Sequence, residues 1–472
     1  MPRYASSVYV PVSPAEAWAW LARPSSSQRL LPPWSGIRIT RAHRDLVDGD
    51  VQSCSVPCGP VRLSWSGEYI DCQVANRFCE RQLHGPYAEW EHVRRFEAED
   101  DGCRLQESLD YRLPLGALGR ALAGPAVEYR TAMLSAWRNQ RILADLARLR
   151  DYRSMPPLRV AISGTGGLVG GDLAAFLSSG GHTVLPLVRS AAPVDGGIRW
   201  DPARDEIDGE MLSSCDAVVH LGGHPIAGRW NARRRALIRD SRVRSTRLLA
   251  ETLAKMSKPP RVLVVASAIG WYGDRHEEYV DEMSSPGSGF MAEVCRDWEA
   301  ACEPARAAGI RVVNLRIGMV LSAKGGALPA LLAPYRYGLG AVLGSGEQWV
   351  SWIAIDDLVY LLHHALRSKT LRGAVNAVAP SAVRQRDLAT VAGRILSHRP
   401  HLRLPGGLLR LMGGEMAQEL LLGGARVISR QLEQETFAFS SPDLEQALRW
   451  ELGRFALRTT SSEPLSDSSW SM

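Results

Sequence analysis

The chain has 472 residues, 45% hydrophobic and 22% charged, an ordinary globular composition with material for two or three cores and no apolar run long enough to span a bilayer. Its net charge of +6 rests on arginine, since only four lysines occur, Lys255, Lys258, Lys324 and Lys369. The densest basic stretch, 229–247, is interleaved with Leu237, Ile238, Val243, Leu248 and Leu249 at helical spacing, which makes it a solvated helix face and argues against a nucleic-acid partner.

Residues 1–12 alternate like a strand and show no basic segment followed by an apolar core, so no signal peptide is expected. Ser13-Pro14-Ala15-Glu16 supplies an N-cap, a proline at the first helical position and a capping-box glutamate for a short helix carrying Trp18 and Leu21. β-Rich runs follow at 51–56, 61–70, 77–83, 89–96 and 104–113. Leu118, Leu122, Leu134, Ile142, Leu146 and Leu149 then mark a long amphipathic helix ending near Arg150. The expected arrangement of 1–150 is a curved antiparallel sheet closed over that helix, with a cavity between them. The eight cysteines, from Cys54 to Cys302, include no Cys-x-x-Cys and no paired histidine. No metal site is expected; they read as small buried hydrophobes of a reducing compartment, which points to the cytoplasm.

After a Pro-bearing linker at 151–157 the rhythm changes to strand–loop–helix units. Buried strands are expected at 158–163, 182–188, 217–221, 261–266 and 311–316, and helices at 168–179, 230–255, 289–308 and 356–366. This alternation predicts an α/β Rossmann-like, doubly wound parallel sheet over 158–398. Residues 399–455 are Leu- and Gly-rich and read as helical, and the Ser-rich 459–472 as a disordered tail.

Ser163-Gly164-Thr165-Gly166-Gly167-Leu168-Val169-Gly170 lies between the first of these strands and a helix. Gly164 would make the tight turn, Gly167 would admit a pyrophosphate to the backbone, and Gly170 would let the helix pack close to the sheet. Thr165, Leu168 and Val169 would present their amides at the helix start. A glycine-rich turn alone is a weak signal; here the strand, the helix and the Gly180-Gly181 stop all fall where a βαβ unit needs them. The second strand ends in Leu187-Val188-Arg189-Ser190, with no carboxylate until Asp195. A cation there suits a 2′-phosphate, so the expected cofactor is NADP, with Arg189 as its recognition residue. Leu221, Gly222 and Gly223 after the third strand would let the loop pass beneath the cofactor, and Ser267 stands at the sheet's C-terminal edge.

Several longer stretches carry a resemblance. ISGTGGLVG, Trp200-Asp201-Pro202, HLGGHPIAGRWNARRRALIRDSRVRSTRLL, SAIGWYGD, SGFMAEVCRDWEA, NLRIGMVLSAKGGAL, LGSGEQWVSWIAIDDL and GEMAQELLLGGARVISRQL are similar to the atypical epimerase family of extended short-chain dehydrogenases. The likeness runs over ~158–455 and includes that family's C-terminal helical extension at 399–455. Residues 1–150, chiefly PPWSGIRI and the closing helix, resemble the START-like SRPBCC superfamily. That second likeness implies an α+β helix-grip domain with an apolar cavity.

The usual Tyr/Lys acid–base pair is excluded by inspection. The residues four before the lysines are Glu251, Ala254, Val320 and Ala365, so no Tyr-x-x-x-Lys exists. The helix that would carry the pair reads Gly289-Phe290-Met291-Ala292-Glu293-Val294-Cys295-Arg296. Ser267, Tyr272 and Glu293 remain as catalytic candidates, with Cys295 and Arg296 beside them; Arg316 and Arg336 are candidates for phosphate contacts. In the resembling family a His precedes Ile-Asp-Asp, where this chain has Ala354. The expected protein is an NADP-binding, epimerase-family oxidoreductase-like enzyme acting on a small carbonyl or hydroxyl compound, a hydrophobic one being suited to the N-terminal cavity. The alternative is a non-catalytic NADP sensor or ligand carrier.

Overall fold

A computed structural model describes residues 3–189 and 196–457; the expected tail at 459–472 and Asp195 lie outside the described residues. The chain divides into two compact units, one running to Arg153 and resuming at Gly453, the other Ser154–Leu452.

In the first unit seven antiparallel strands form one sheet: β1 (Arg3–Val10), β2 (Arg38–Arg41), β3 (Val51–Cys58), β4 (Val61–Gln73), β5 (Arg77–His84), β6 (Glu89–Glu99) and β7 (Gly102–Arg112). Their order is β1-β7-β6-β5-β4-β3-β2, so β1 closes on the last strand, from Arg3 opposite Asp110 to Val10 opposite Cys103. Helix α1 (Pro14–Ala22) starts with the expected capping box, Ser13 and Glu16 satisfying each other's amides. A short α2 (Ser25–Arg29) follows it, and the 35-residue α3 (Gly116–Arg150) lies over the sheet. Trp18, Phe78 and Phe96 fill one part of the interior with ring centroids 5.5–6.2 Å apart.

Val10, Leu21, Leu105, Ile142 and Leu146 extend that apolar core, and buried charges lie in the same unit. Arg29 donates to both oxygens of Asp145 at 2.8 and 2.7 Å, and both side chains are buried. Glu107 accepts hydrogen bonds from Ser6 at 2.7 Å, His92 at 3.1 Å and Arg94 at 3.5 Å. Burial would raise the Glu107 carboxyl, but the His92 hydrogen bond and the Arg94 charge outweigh it and hold it at about 2. A cleft of about 470 Å³ opens in this unit, lined by Arg3, Tyr4, Tyr111, Glu128, Tyr129 and Thr131. Two of these groups are charged and three are phenolic, with Thr131 and Ala132 beside them. The apolar cavity expected of a START-like helix-grip domain is therefore corrected: aromatic rings and paired charges occupy its place.

The second unit carries an eight-stranded sheet: β8 (Arg159–Ser163), β9 (Thr183–Val188), β10 (Ile198–Asp201), β11 (Glu206–Ile207), β12 (Ala217–His220), β13 (Val262–Ala268), β14 (Arg311–Ile317) and β15 (Gly373–Ala377). The order is β11-β10-β9-β8-β12-β13-β14-β15, parallel throughout except for β11. Strand order therefore reverses between β8 and β12, the topological switch point where ligands bind beyond the strand ends. All four residues of β12 are buried, as a strand covered on both faces requires. The helices that place the site are α4 (Leu168–Ser179), α5 (Gly209–Ser213), α6 (Ala232–Ala254) and α7 (Phe290–Ala300). The helix expected to run to residue 308 ends at Ala300, and a separate turn, Glu303–Ala307, restarts with Pro304 in its first positions. The region expected to be wholly helical after 398 contains a strand, Leu402–Leu404, paired with Ala341–Leu343. Among the described residues no helix is long and apolar enough to cross a membrane.

Candidate functional site

The glycine loop leaves β8 at the switch point and turns directly into α4. Gly164 has φ +81°, and a Cβ there would stand 3.0–3.1 Å from the backbone of Leu221 and Gly222. Two loops thus meet backbone to backbone at a position only glycine fits. A Cβ on Gly170 would lie 2.2 Å from the Gly164 carbonyl oxygen, so the first turn of α4 is pressed against the turn that precedes it. The Gly167 amide closes onto the Gly164 oxygen at 2.9 Å, and Gly171 begins the helical ladder on the Gly167 oxygen at 2.9 Å. The amides of Leu168 and Val169 therefore lie outside the ladder, beside half-buried Thr165. Such a helix start favours a negative charge.

A buried relay fixes the geometry of this crevice. Ser163 Oγ accepts the amides of Leu221 and Gly222, both at 3.2 Å, and lies 2.5 Å from His220 Nδ1. With its lone pairs engaged by two amides, the hydroxyl must donate to Nδ1. That assigns the proton to Nε2, which donates to Ser245 Oγ at 2.9 Å, and Ser245 donates to the Ser241 carbonyl at 2.7 Å. Burial, with the nearby Arg242 charge, depresses the His220 pKa to about 4, so the imidazole is neutral at physiological pH. Arg189 is exposed at the end of β9, immediately before the segment outside the described residues.

Beyond β13 the chemistry differs from expectation. Ser267 Oγ donates to Glu299 at 2.7 Å, and Glu299 is gripped by both arms of Arg316 at 2.9 and 3.0 Å. Arg316 also donates to the Tyr272 hydroxyl at 3.0 Å, which in turn donates to Asn376 at 2.7 Å. Tyr272 is fully buried, and burial above all pushes its hydroxyl up to about 12. Ser267 and Arg316 are nearly as inaccessible, at 4% and 3% exposed. Ser267 and Tyr272, the catalytic candidates of the sequence, and Arg316, the candidate phosphate contact, are each engaged in one internal network here. Glu293 and Arg296 point to solvent from the far side of α7, and Arg336 is exposed in a separate turn. The residues of α7 that approach the strand end are Met291 and Cys295, with Met291 Cβ 3.1 Å and Cys295 Sγ 3.8 Å from a Cβ built on Gly270. Burial first, then Glu299, pushes the Cys295 thiol up to about 12. Neither is a base at neutral pH.

Two further devices complete the surroundings. Glu419 accepts the amides of Phe290 at 2.8 Å and Met291 at 2.9 Å, capping α7 from far along the chain. Gly223 lies directly over the Arg242 guanidinium. Ser163, His220, Ser245, Arg242, Glu299 and Asn376 escaped the sequence reading. Only His220, next to the Gly222-Gly223 pair, carried a local signal.

Residues 160–377 match the model of the NAD dependent epimerase/dehydratase family, and residues 404–451 match Domain of unknown function (DUF1731). An epimerase family protein of Mycobacterium bovis, Mb2239, is 40% identical over 290 residues, 61% of this chain and 96% of its own length. The crystal structure of the human epimerase family protein SDR39U1 with NADPH is similar with a TM-score of 0.57 and 32% identity, covering 63% of this chain and all of that one. A nucleoside-diphosphate sugar epimerase from Corynebacterium glutamicum is similar with a TM-score of 0.79 and 32% identity, over 97% of this chain and 91% of its own. This last match runs through residues 1–150. They belong to an architecture shared with an epimerase, and the expected separate START-like SRPBCC domain fused in front of it is withdrawn.

Proposed function

Because this chain belongs to the NAD dependent epimerase/dehydratase family, we propose that it binds NADPH across the crevice between β8 and β12 and acts on a small molecule as an epimerase-family oxidoreductase. The observation that carries this reading is the cradle itself: a Cβ at Gly164, Gly170 or Gly222 would press on Leu221, the Gly164 oxygen or Ser163 Oγ, so these glycines draw two loops together around an open helix start. The diphosphate would rest on Gly167, Leu168 and Val169, with Thr165 beside it, and Leu221, Gly222 and Gly223 would line the opposite wall. Arg189 would meet the 2′-phosphate, which favours NADPH over NADH. Bound there, the nicotinamide supplies hydride donation or acceptance. The human relative's structure with NADPH supports the same choice. A cytosolic location fits cysteines that are all unpaired.

A second reading, a nucleotide sensor or ligand carrier without turnover, is favoured by one observation. The hydroxyls of Ser267 and Tyr272 are committed to internal partners, and α7 offers Met291 and Cys295 in place of an acid–base pair.

Thermal denaturation with each dinucleotide tests the cofactor. At a hundredfold excess over Kd, NADPH should add about 2.7 kcal/mol of stability, and NADH clearly less. No shift with either removes the proposal; a larger shift with NADH removes the role of Arg189. Stopped-flow oxidation of bound NADPH by quinones, aromatic ketones and sugar nucleotides then separates enzyme from sensor.

A further inference from the structure

The crevice wall holds a positive charge that no carboxylate among the described residues neutralises. Arg242 extends from α6 beneath the loop after β12, and a Cβ on Gly223 would stand 3.1–3.3 Å from its Cζ, Nη2 and Nη1. Its hydrogen bonds go to uncharged acceptors, the carbonyls of His224 and Ile238 at 3.1 Å each and Ser241 Oγ at 3.4 Å. Its Nε is buried without an acceptor, and the Trp298 ring lies 5.2 Å away on one side. Among the described residues it has no carboxylate partner, and burial works against its charge. Its neighbours on the same helix differ. Arg235, Arg239, Arg244 and Arg247 face Glu415, Asp297, Asp205 and Glu251 respectively. Arg233 and Arg234, at the start of the helix, likewise have no ion pair among the described residues, but Arg242 is the one that lies against the Gly223 wall of the crevice, and a desolvated, unpaired guanidinium is destabilising.

The geometry points to Arg242 as an electrostatic anchor for the diphosphate of the dinucleotide, an inference that rests on the cofactor reading above. It would act through the Gly222–Gly223 loop. Gly164 packs on Leu221 and Gly222, and Gly223 packs on the guanidinium, so one loop thickness separates the cation from the phosphate-binding turn. The neutral state of His220 fits the same field, since Arg242 contributes to it. Ligand charge, not a protein carboxylate, balances the site. Arg242 is thus a positioning residue that sets affinity.

The test uses the full chain with Arg242→Met and Arg242→Lys, and NADPH and inorganic pyrophosphate as separate probes. Arg242→Met should bind NADPH about tenfold more weakly, about 1.4 kcal/mol, while the melting temperature without ligand is unchanged or higher. Pyrophosphate should stabilise the wild type and lose that effect in the same variant. Arg242→Lys keeps the charge and loses the planar fork; it should hold NADPH to within about threefold of the wild type, even if it melts earlier. Wild-type affinity in Arg242→Met overturns the anchor. Equal losses of affinity in both variants, with lowered melting temperatures, also overturn it, because the fork would then be shaping the loop. Failure of the wild type to bind NADPH removes the cofactor reading itself and the anchor with it.

Discussion

Removing one oxygen, in Ser163→Ala, should loosen the crevice although Ser163 itself is buried beneath it. The Ser163 hydroxyl accepts two backbone amides at 3.2 Å and donates to His220 at 2.5 Å, and its side chain is buried in the sheet. Alanine leaves the Gly222 amide and His220 Nδ1 without these partners, while the Leu221 amide keeps only the Ser163 carbonyl at 3.3 Å. Each buried unsatisfied group costs about 1–3 kcal/mol. The amides share one acceptor, so their loss counts closer to one group than two, and the sum is about 3 kcal/mol. At 2–4 °C per kcal/mol for a domain of this order, the melting temperature should fall by about 6–12 °C. Differential scanning calorimetry reads that shift, and NADPH titration should show weaker binding because the Gly222–Gly223 wall is no longer held. A melting point within about 1 °C of the wild type, with unchanged affinity, would refute the relay and the His220 tautomer assigned from it.

Gly170→Ala places a Cβ 2.2 Å from the Gly164 oxygen, so the phosphate turn must shift; NADPH affinity should fall at least tenfold, about 1.4 kcal/mol, by isothermal titration. His220 has a folded pKa of about 4 against 6.5 when unfolded. The unfolded state therefore binds more protons between those values, and stability falls as pH drops from about 6.5 to about 4, by on the order of 3 kcal/mol. Urea melts of the wild type and His220→Gln across that window should differ in slope, the variant being flatter; parallel curves would exclude the assignment. Timed alkylation of native protein followed by peptide mass mapping should label exposed Cys58 first and spare Cys295, whose thiol is buried and pushed up to about 12.

The glycine loop was legible because its signal is local: a turn, a close approach and a helix start fall within eight consecutive residues. The relay beneath it was not. Ser163 and His220 lie 57 positions apart, and nothing in either segment states that β8 and β12 are neighbours in register. The same limit hid Glu299, the shared partner of Ser267 and Arg316. Strands with small or mixed residues, Gly-Ala-Val-Asn-Ala at β15 and Arg-Ile-Thr-Arg at β2, gave no periodic signal. The N-terminal error has a different cause. A helix over a curved sheet is a shape that many sequences reach, so PPWSGIRI and a closing helix indicated the strands and the helix but not the lineage. Paired charges such as Arg29–Asp145, 116 residues apart, appear only in three dimensions.

The carboxylate that caps α7 also sets an order of events during synthesis. Glu419 follows Phe290 by 129 residues. At roughly 5–20 residues per second, the ribosome delivers it on the order of ten seconds after the helix it completes. Until then the first turn of α7 leaves the exit tunnel with its leading amides uncapped, and a nascent chain halted before residue 419 carries every glycine of the cofactor cradle but an unfinished wall beside it.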